Sequence, residues 1–185
     1  MSSETASIEP ERMATRPVAT GVTWPMWVRE HRVASAILAG FVATHVTSLV
    51  GYWLPSIGLP KLDWNTTNGA ILVPEASAMT QFVVGGIYHT LTGIVFALLF
   101  AFVIHPLLPG ANTLLNNLLK AVAFSTVLAF VSTLWMIPQI YFPDADAGFM
   151  SFNLGTDLVF AIFVWHWVYG LNLGTFYNPA PPDGD

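Results

Sequence analysis

The chain contains no cysteine, which excludes disulfides, thiolate metal sites, iron–sulfur clusters and cysteine nucleophiles. Charge is scarce as well: Asp, Glu, Lys and Arg make up 9% of 185 residues, where soluble domains carry roughly a quarter. Six Lys and Arg against eleven Asp and Glu leave no basic surface for nucleic acid. A Gly-x-Ser-x-Gly elbow and a glycine-rich phosphate loop are both missing, so acyl and phosphoryl transfer lack their usual machinery. The expectation is a protein with no catalytic activity of its own.

What the chain has instead is apolar surface, with 54% hydrophobic residues and a mean hydropathy of +0.60. Four apolar runs, at about 33–54, 79–104, 114–137 and 155–177, are each long enough to cross ~30 Å of hydrocarbon and must be helical there, because lipid offers the backbone no partners. The expected fold class is all-α: an integral membrane four-helix bundle built from two helical hairpins. Around that domain (33–177) lie a flexible cytoplasmic tail (1–23), an interfacial segment (24–32) and a C-terminal tail (178–185). Trp24 and Trp27 beside Arg29 and Arg32 suit the headgroup layer. No cleavable signal peptide is expected, since the first apolar run begins too late.

Prolines 55, 60, 106, 109, 138, 143 and 179 mark the ends of the runs, and none is expected inside a span. With four crossings both termini share a side, and that side holds Arg12, Arg16, Arg29, Arg32 and Lys120 against Lys61 alone on the other. The positive-inside rule then places both termini in the cytoplasm, at a bacterial inner membrane. The two outer loops, 55–78 and 138–154, are the longer ones, and their aromatic residues are where a partner would meet the chain.

The second and fourth runs repeat one another. His89, Gly93, Ala97 and Phe100 match His166, Gly170, Gly174 and Tyr177, so histidine, glycine and a small residue recur at spacings of four and share one helical stripe. Small residues at that spacing let helices approach closely in lipid, which predicts a helix–helix seam. Gly85 and Gly86 extend the stripe by one turn. The first and third runs align poorly.

The loop Gly58-Leu59-Pro60-Lys61-Leu62-Asp63, the His89/Gly93 stripe and the closing His166-Trp-Val-Tyr169-Gly170-Leu-Asn-Leu-Gly174 together resemble an uncharacterised family of small bacterial four-helix membrane proteins. The resemblance extends over about residues 37–177. It implies the same topology and the same histidines, and carries no chemistry with it.

His45, His89 and His166 are the intramembrane histidines, each about nine to eleven residues from the outer end of its run, or ~13–17 Å deep at 1.5 Å per residue. Ionisable groups at that depth face the protein interior or a cavity by default. Three readings stand side by side. Each neutral imidazole bonds a hydroxyl or carbonyl across a seam, with Thr44, Thr47, Ser48, Thr90, Thr92, Ser125, Thr126, Ser132 and Thr133 as candidates. Alternatively, the histidines bind haem or a chlorophyll-type pigment, the glycines leaving room for a flat macrocycle. In the third reading, the three imidazoles hold a copper, iron or zinc ion, with Asp157 too far along its helix to help easily.

The remaining candidates point to ordinary roles. His31 and His105 fall at the cytoplasmic interface; Asp144 and Asp146 read as a solvated turn rather than a calcium loop; Asn65-Thr66-Thr67 spells a glycosylation site of no consequence in a bacterium. Transport finds little support, because the spans hold no charged residue beyond the terminal Asp157 and Lys120 and no proline at the midplane. The expected role is a non-catalytic accessory subunit of a larger inner-membrane complex of bioenergetic or membrane-oxygenase type. Its partners would be other membrane-protein subunits and lipid. The alternative is a haem-, chlorophyll- or metal-binding membrane protein centred on His45, His89 and His166.

Overall fold

The computed structural model describes residues 22–111 and 113–179; the expected N-terminal tail up to residue 21, and residues 180–185, lie outside them. Among the described residues every regular element is helical. Helix α1 (Trp24–Glu30) starts on Pro25, whose missing N–H costs nothing in a first turn. It falls in the segment expected at the interface. Helix α2 (Arg32–Trp53) runs on through a 3-10 turn to Ile57. Helix α3 (Trp64–Leu72) lies inside the first outer loop, capped by Asp63. Helix α4 (Ala78–Leu99) and helix α5 (Leu114–Val131) are capped by the hydroxyls of Ser77 and Thr113, and helix α6 (Thr156–Phe176) completes the set. Four continuous stretches, Arg32–Ile57, Ala78–Leu107, Leu114–Tyr141 and Thr156–Phe176, are long and apolar enough to cross a membrane.

Three of those stretches contain prolines, against the expectation that none would. Pro55 opens the 3-10 turn after α2. Pro106 lies in the short turn His105–Leu107 directly after a π-helical continuation of α4, Phe100–Ile104, and Pro138 lies inside a π-helical continuation of α5, Ser132–Tyr141. The physical reason is the same in both. A π turn bonds each N–H five residues back, so the N–H that proline lacks is the one that residues Ala101 and Thr133 would have received. His105 N–H indeed bonds Phe100 O, and Ala101 O accepts instead from Arg32 Nη2 at 2.9 Å and the Tyr177 hydroxyl at 3.3 Å. Thr133 O accepts from the Ser151 hydroxyl at 2.7 Å. Pro106 and Pro138 therefore remain within continuous apolar stretches, with a side chain from another element bonding each released carbonyl.

Helix α2 packs against both α4 and α6, and α5 packs against α6. Two glycine seams hold these contacts. A Cβ on Gly93 would overlap the Thr44 hydroxyl, and Ala97 faces Gly40; a Cβ on Gly170 would overlap the Ser125 hydroxyl, and Gly174 faces Ala121. Glycine and a small residue four apart on one helix thus meet a small residue and a hydroxyl four apart on the other, twice. Gly85 and Gly86 behave differently from the expected stripe: they face Asn65 of α3, whose backbone Gly85 admits. Helices α4 and α5 touch where Phe100 stacks on Phe124 at 5.5 Å, and further out a gap opens between them.

Candidate functional site

That gap is a cavity of about 80 Å³, lined by Tyr88, His89, Thr92 and Phe96 of α4, Ser132, Met136 and Tyr141 of the α5 continuation, and Trp165, His166 and Tyr169 of α6. Trp64 and Asn68 of α3 close its outer end, with Tyr141 donating to Asn68 Oδ1 at 2.8 Å and stacking on Trp64 at 4.9 Å. The first outer loop thus folds inward. Of the residues around the outer loops, Trp53 and Ile57 are 69% exposed and Phe149 is 77% exposed.

The structure brings two of the three intramembrane histidines together and leaves the third outside. His166 is buried, and its Nδ1 donates to Ile162 O at 2.8 Å. A carbonyl only accepts, so the neutral ring carries its proton on Nδ1 and presents a lone pair at Nε2. The Ser132 hydroxyl meets that lone pair at 3.3 Å. His89 enters the same cavity from α4, its ring 5.3 Å from that of Trp165. Its Nε2 is buried and has no hydrogen-bond partner, and the Trp165 Nε1–H is likewise buried without one. His45 faces outward from α2: its Nδ1 donates to Phe41 O at 2.8 Å, its ring lies 4.2 Å from that of Phe41, and it does not line the cavity.

Of the nine hydroxyls expected as partners for these rings, only Ser132 meets one. Thr44, Thr47, Ser48, Thr90, Thr92, Ser125, Thr126 and Thr133 donate back to carbonyls of their own helices three or four residues earlier, the habitual local bond of a helical hydroxyl. Among the described residues, no group of three or more His, Asp or Glu could hold a metal ion. Asp157 is exposed in the first turn of α6.

The cavity discriminates among ligands by size and donor type. Pockets for drug-sized molecules run to ~300–1,000 Å³, so about 80 Å³ suits a single ion or a few small molecules, and a tetrapyrrole would require α4 and α5 to part. The donors facing it are neutral: two imidazoles, the Met136 thioether, and the phenols of Tyr88 and Tyr141.

Met136, Tyr141 and the Tyr88 that precedes His89 were not singled out in the sequence. For the last there was a signal. Tyr88-His89 and Trp165-His166 occupy equivalent places in the repeat, so the shared pattern is aromatic-His-x3-Gly-x3-small, and both aromatic rings line the cavity.

The described residues are thus those of a helical protein with four membrane-length stretches and a histidine-lined cavity between its helices. The chain belongs to DUF6789, a family of unknown function whose model matches residues 30–183. No curated protein and no solved structure matches it.

Proposed function

We propose that the chain is a non-catalytic subunit of a larger inner-membrane assembly, a four-helix bundle of two hairpins with both termini in the cytoplasm. The two matching seams, Thr44/Gly93 and Ser125/Gly170, support the hairpin arrangement, and the Lys and Arg distribution supports the orientation. The observation that carries the subunit reading is the outward placement of His45. A polar ring near mid-bilayer faces protein or water by default, since hydrocarbon cannot satisfy its remaining nitrogen. A neighbouring subunit covering α2 would supply the missing partner. Replacing His45 with a photo-crosslinking amino acid in native membranes tests this. A cross-link to another polypeptide is expected; exclusive labelling of lipid, with migration of gently solubilised protein as a free monomer, would overturn the reading.

One observation favours a second reading, the unpartnered Nε2 of His89 beside His166. Two imidazoles and a thioether form a neutral, soft donor set, which suits a monovalent copper ion better than a divalent one in a low-dielectric site. The purified chain, incubated with copper(I) under reducing conditions, should retain one equivalent by elemental analysis. His89→Ala and His166→Ala should each release it, and retention in both would refute the assignment.

A further inference from the structure

A second pocket lies at the opposite end of the helices, between the start of α2, the end of the α4 stretch, the start of α5 and the end of α6. Its chemistry is the reverse of the first. Arg29, Arg32, His105 and Lys120 line it, and among the described residues no carboxylate does. Of the six acidic residues described, Asp63, Glu75, Asp144, Asp146 and Asp157 belong to the other end of the chain's helices or its outer loops, and Glu30 does not line the pocket. The only ion pair among the described residues is Lys61 with Asp63, also at the far end.

Lys120 is the informative member. It is 7% exposed, and among the described residues no ion pair with an acid reaches it. A lysine so largely buried, lining a pocket instead of extending over the helix surface into water, sets its charge where an anion would offset the cost of burial. Arg32 contributes Nη2 to Ala101 O and Nε to the Tyr177 hydroxyl, which holds its guanidinium in place at the pocket wall. Arg29 bonds Pro179 O at 3.3 Å. Two planar donors and one point charge converging on a space of about 480 Å³ are the usual components of phosphate recognition. The depth fits as well. Trp24, which bonds Phe176 O at 3.1 Å, and Trp27 place indoles at this same end, as membrane interfaces do.

We infer that this pocket binds the phosphate of an anionic phospholipid headgroup, with Lys120 and Arg29 as the discriminating cations. Basic pockets between membrane helices recognise such headgroups by this combination of charge and depth. Arg32 is tied to Ala101 and serves as the fixed wall, so it is a poor test residue. Arg29 is exposed, and its replacement leaves the fold alone.

The test uses the full chain reconstituted in phosphatidylcholine nanodiscs, alone or with phosphatidylglycerol, and read by native mass spectrometry after detergent release. One retained phosphatidylglycerol is expected, held at least tenfold more strongly than phosphatidylcholine. Arg29→Gln and Lys120→Met should each lower that preference severalfold, with circular dichroism unchanged for Arg29→Gln. Inorganic phosphate at millimolar concentration should displace the lipid only weakly, because it lacks the acyl chains. Equal retention of the two lipids by the wild type, or an unchanged preference in Arg29→Gln, would overturn the inference. Full displacement by inorganic phosphate would assign the site to free phosphate and overturn the lipid source. Lipid preference appearing only after truncation at Pro179 would assign the pocket to the chain's own Asp183 and Asp185, with the same consequence.

Discussion

The Ser132 hydroxyl lies 3.3 Å from His166 Nε2, and the equivalent place opposite His89 is taken by a glycine. Each seam fixes the correspondence: Thr44 faces Gly93 as Ser125 faces Gly170, and seven residues further along these helices stand Gly51 and Ser132. Gly51 has no room for a side chain, because any Cβ there would press on Leu62 O, held close where Leu62 N–H donates to Gly51 O at 3.1 Å. The two halves of the molecule thus treat one histidine as a bonded structural group and leave the other's Nε2 without a partner.

Opposite signs of stability change follow for the two rings in metal-free protein. Ser132→Ala should destabilise by ~1 kcal/mol, the net worth of one hydrogen bond. His89→Leu should stabilise by about the same amount, since it removes a buried polar nitrogen that lacks a partner. Thermal unfolding in detergent distinguishes the signs directly; destabilisation by His89→Leu would show that Nε2 is satisfied in the folded chain.

The four apolar helices were legible because length and hydropathy alone decide them, and the histidine stripe because its spacing repeats. The partners of the seam were not. Gly40 and Thr44 answer Ala97 and Gly93, while Ala121 and Ser125 answer Gly174 and Gly170, yet glycine aligned with alanine and threonine with serine give little signal until the neighbouring helix is known. Depth along a helix could be counted; direction around it could not, which is why His45 was grouped with two rings it does not join. The π segments escaped because a proline near a span end reads as a terminus, and only the side chains of Arg32 and Ser151 at the released carbonyls show the helix continuing.

The seams make an asymmetric prediction in double mutants. Gly93→Ala meets only side-chain atoms of Thr44, whereas Gly170→Ala meets the Ser125 hydroxyl and also Ala121 O of the backbone. Both single changes overfill a packed contact and should cost ~1–3 kcal/mol. Thr44→Ala should recover most of the loss in Gly93→Ala. Ser125→Gly should leave Gly170→Ala largely unrescued, because backbone cannot be trimmed. Equal rescue in the two cycles, measured by unfolding midpoints, would contradict these contacts.

Ser151 offers a test of the widened α5 continuation. It holds φ at +64°, next to Met150 at +52°, and from there its buried hydroxyl reaches Thr133 O. Ser151→Ala keeps the left-handed backbone and loses the bond, so a loss of ~1–2 kcal/mol is expected. Ser151→Gly removes the same bond and relieves the backbone cost, and should fall closer to wild type. If glycine proves worse than alanine, the backbone at 151 is not left-handed in solution.

Asp63 gives the pH dependence. It lies between the first membrane stretch and α3, accepting from Thr66 N–H at 3.1 Å, the Tyr52 hydroxyl at 2.8 Å, Lys61 Nζ at 3.2 Å and the Thr66 hydroxyl at 3.1 Å. Burial by itself would raise its carboxyl, but the Thr66 amide and then the Tyr52, Lys61 and Thr66 side chains outweigh that and hold it below the ordinary value of 3.8. A carboxylate depressed in the folded state contributes stability that is fully present above the unfolded value and is lost as pH falls through the folded one. The outer loop should therefore hold its cap unchanged from neutral pH down to about 5 and weaken below about 4. Asp63→Asn keeps an oxygen for the α3 cap, loses the charge, and should flatten this dependence. Hydrogen exchange at Thr66 and Thr67, followed from pH 6 to 3, reports it locally; a wild-type profile as flat as the variant's would place the stabilising charge elsewhere.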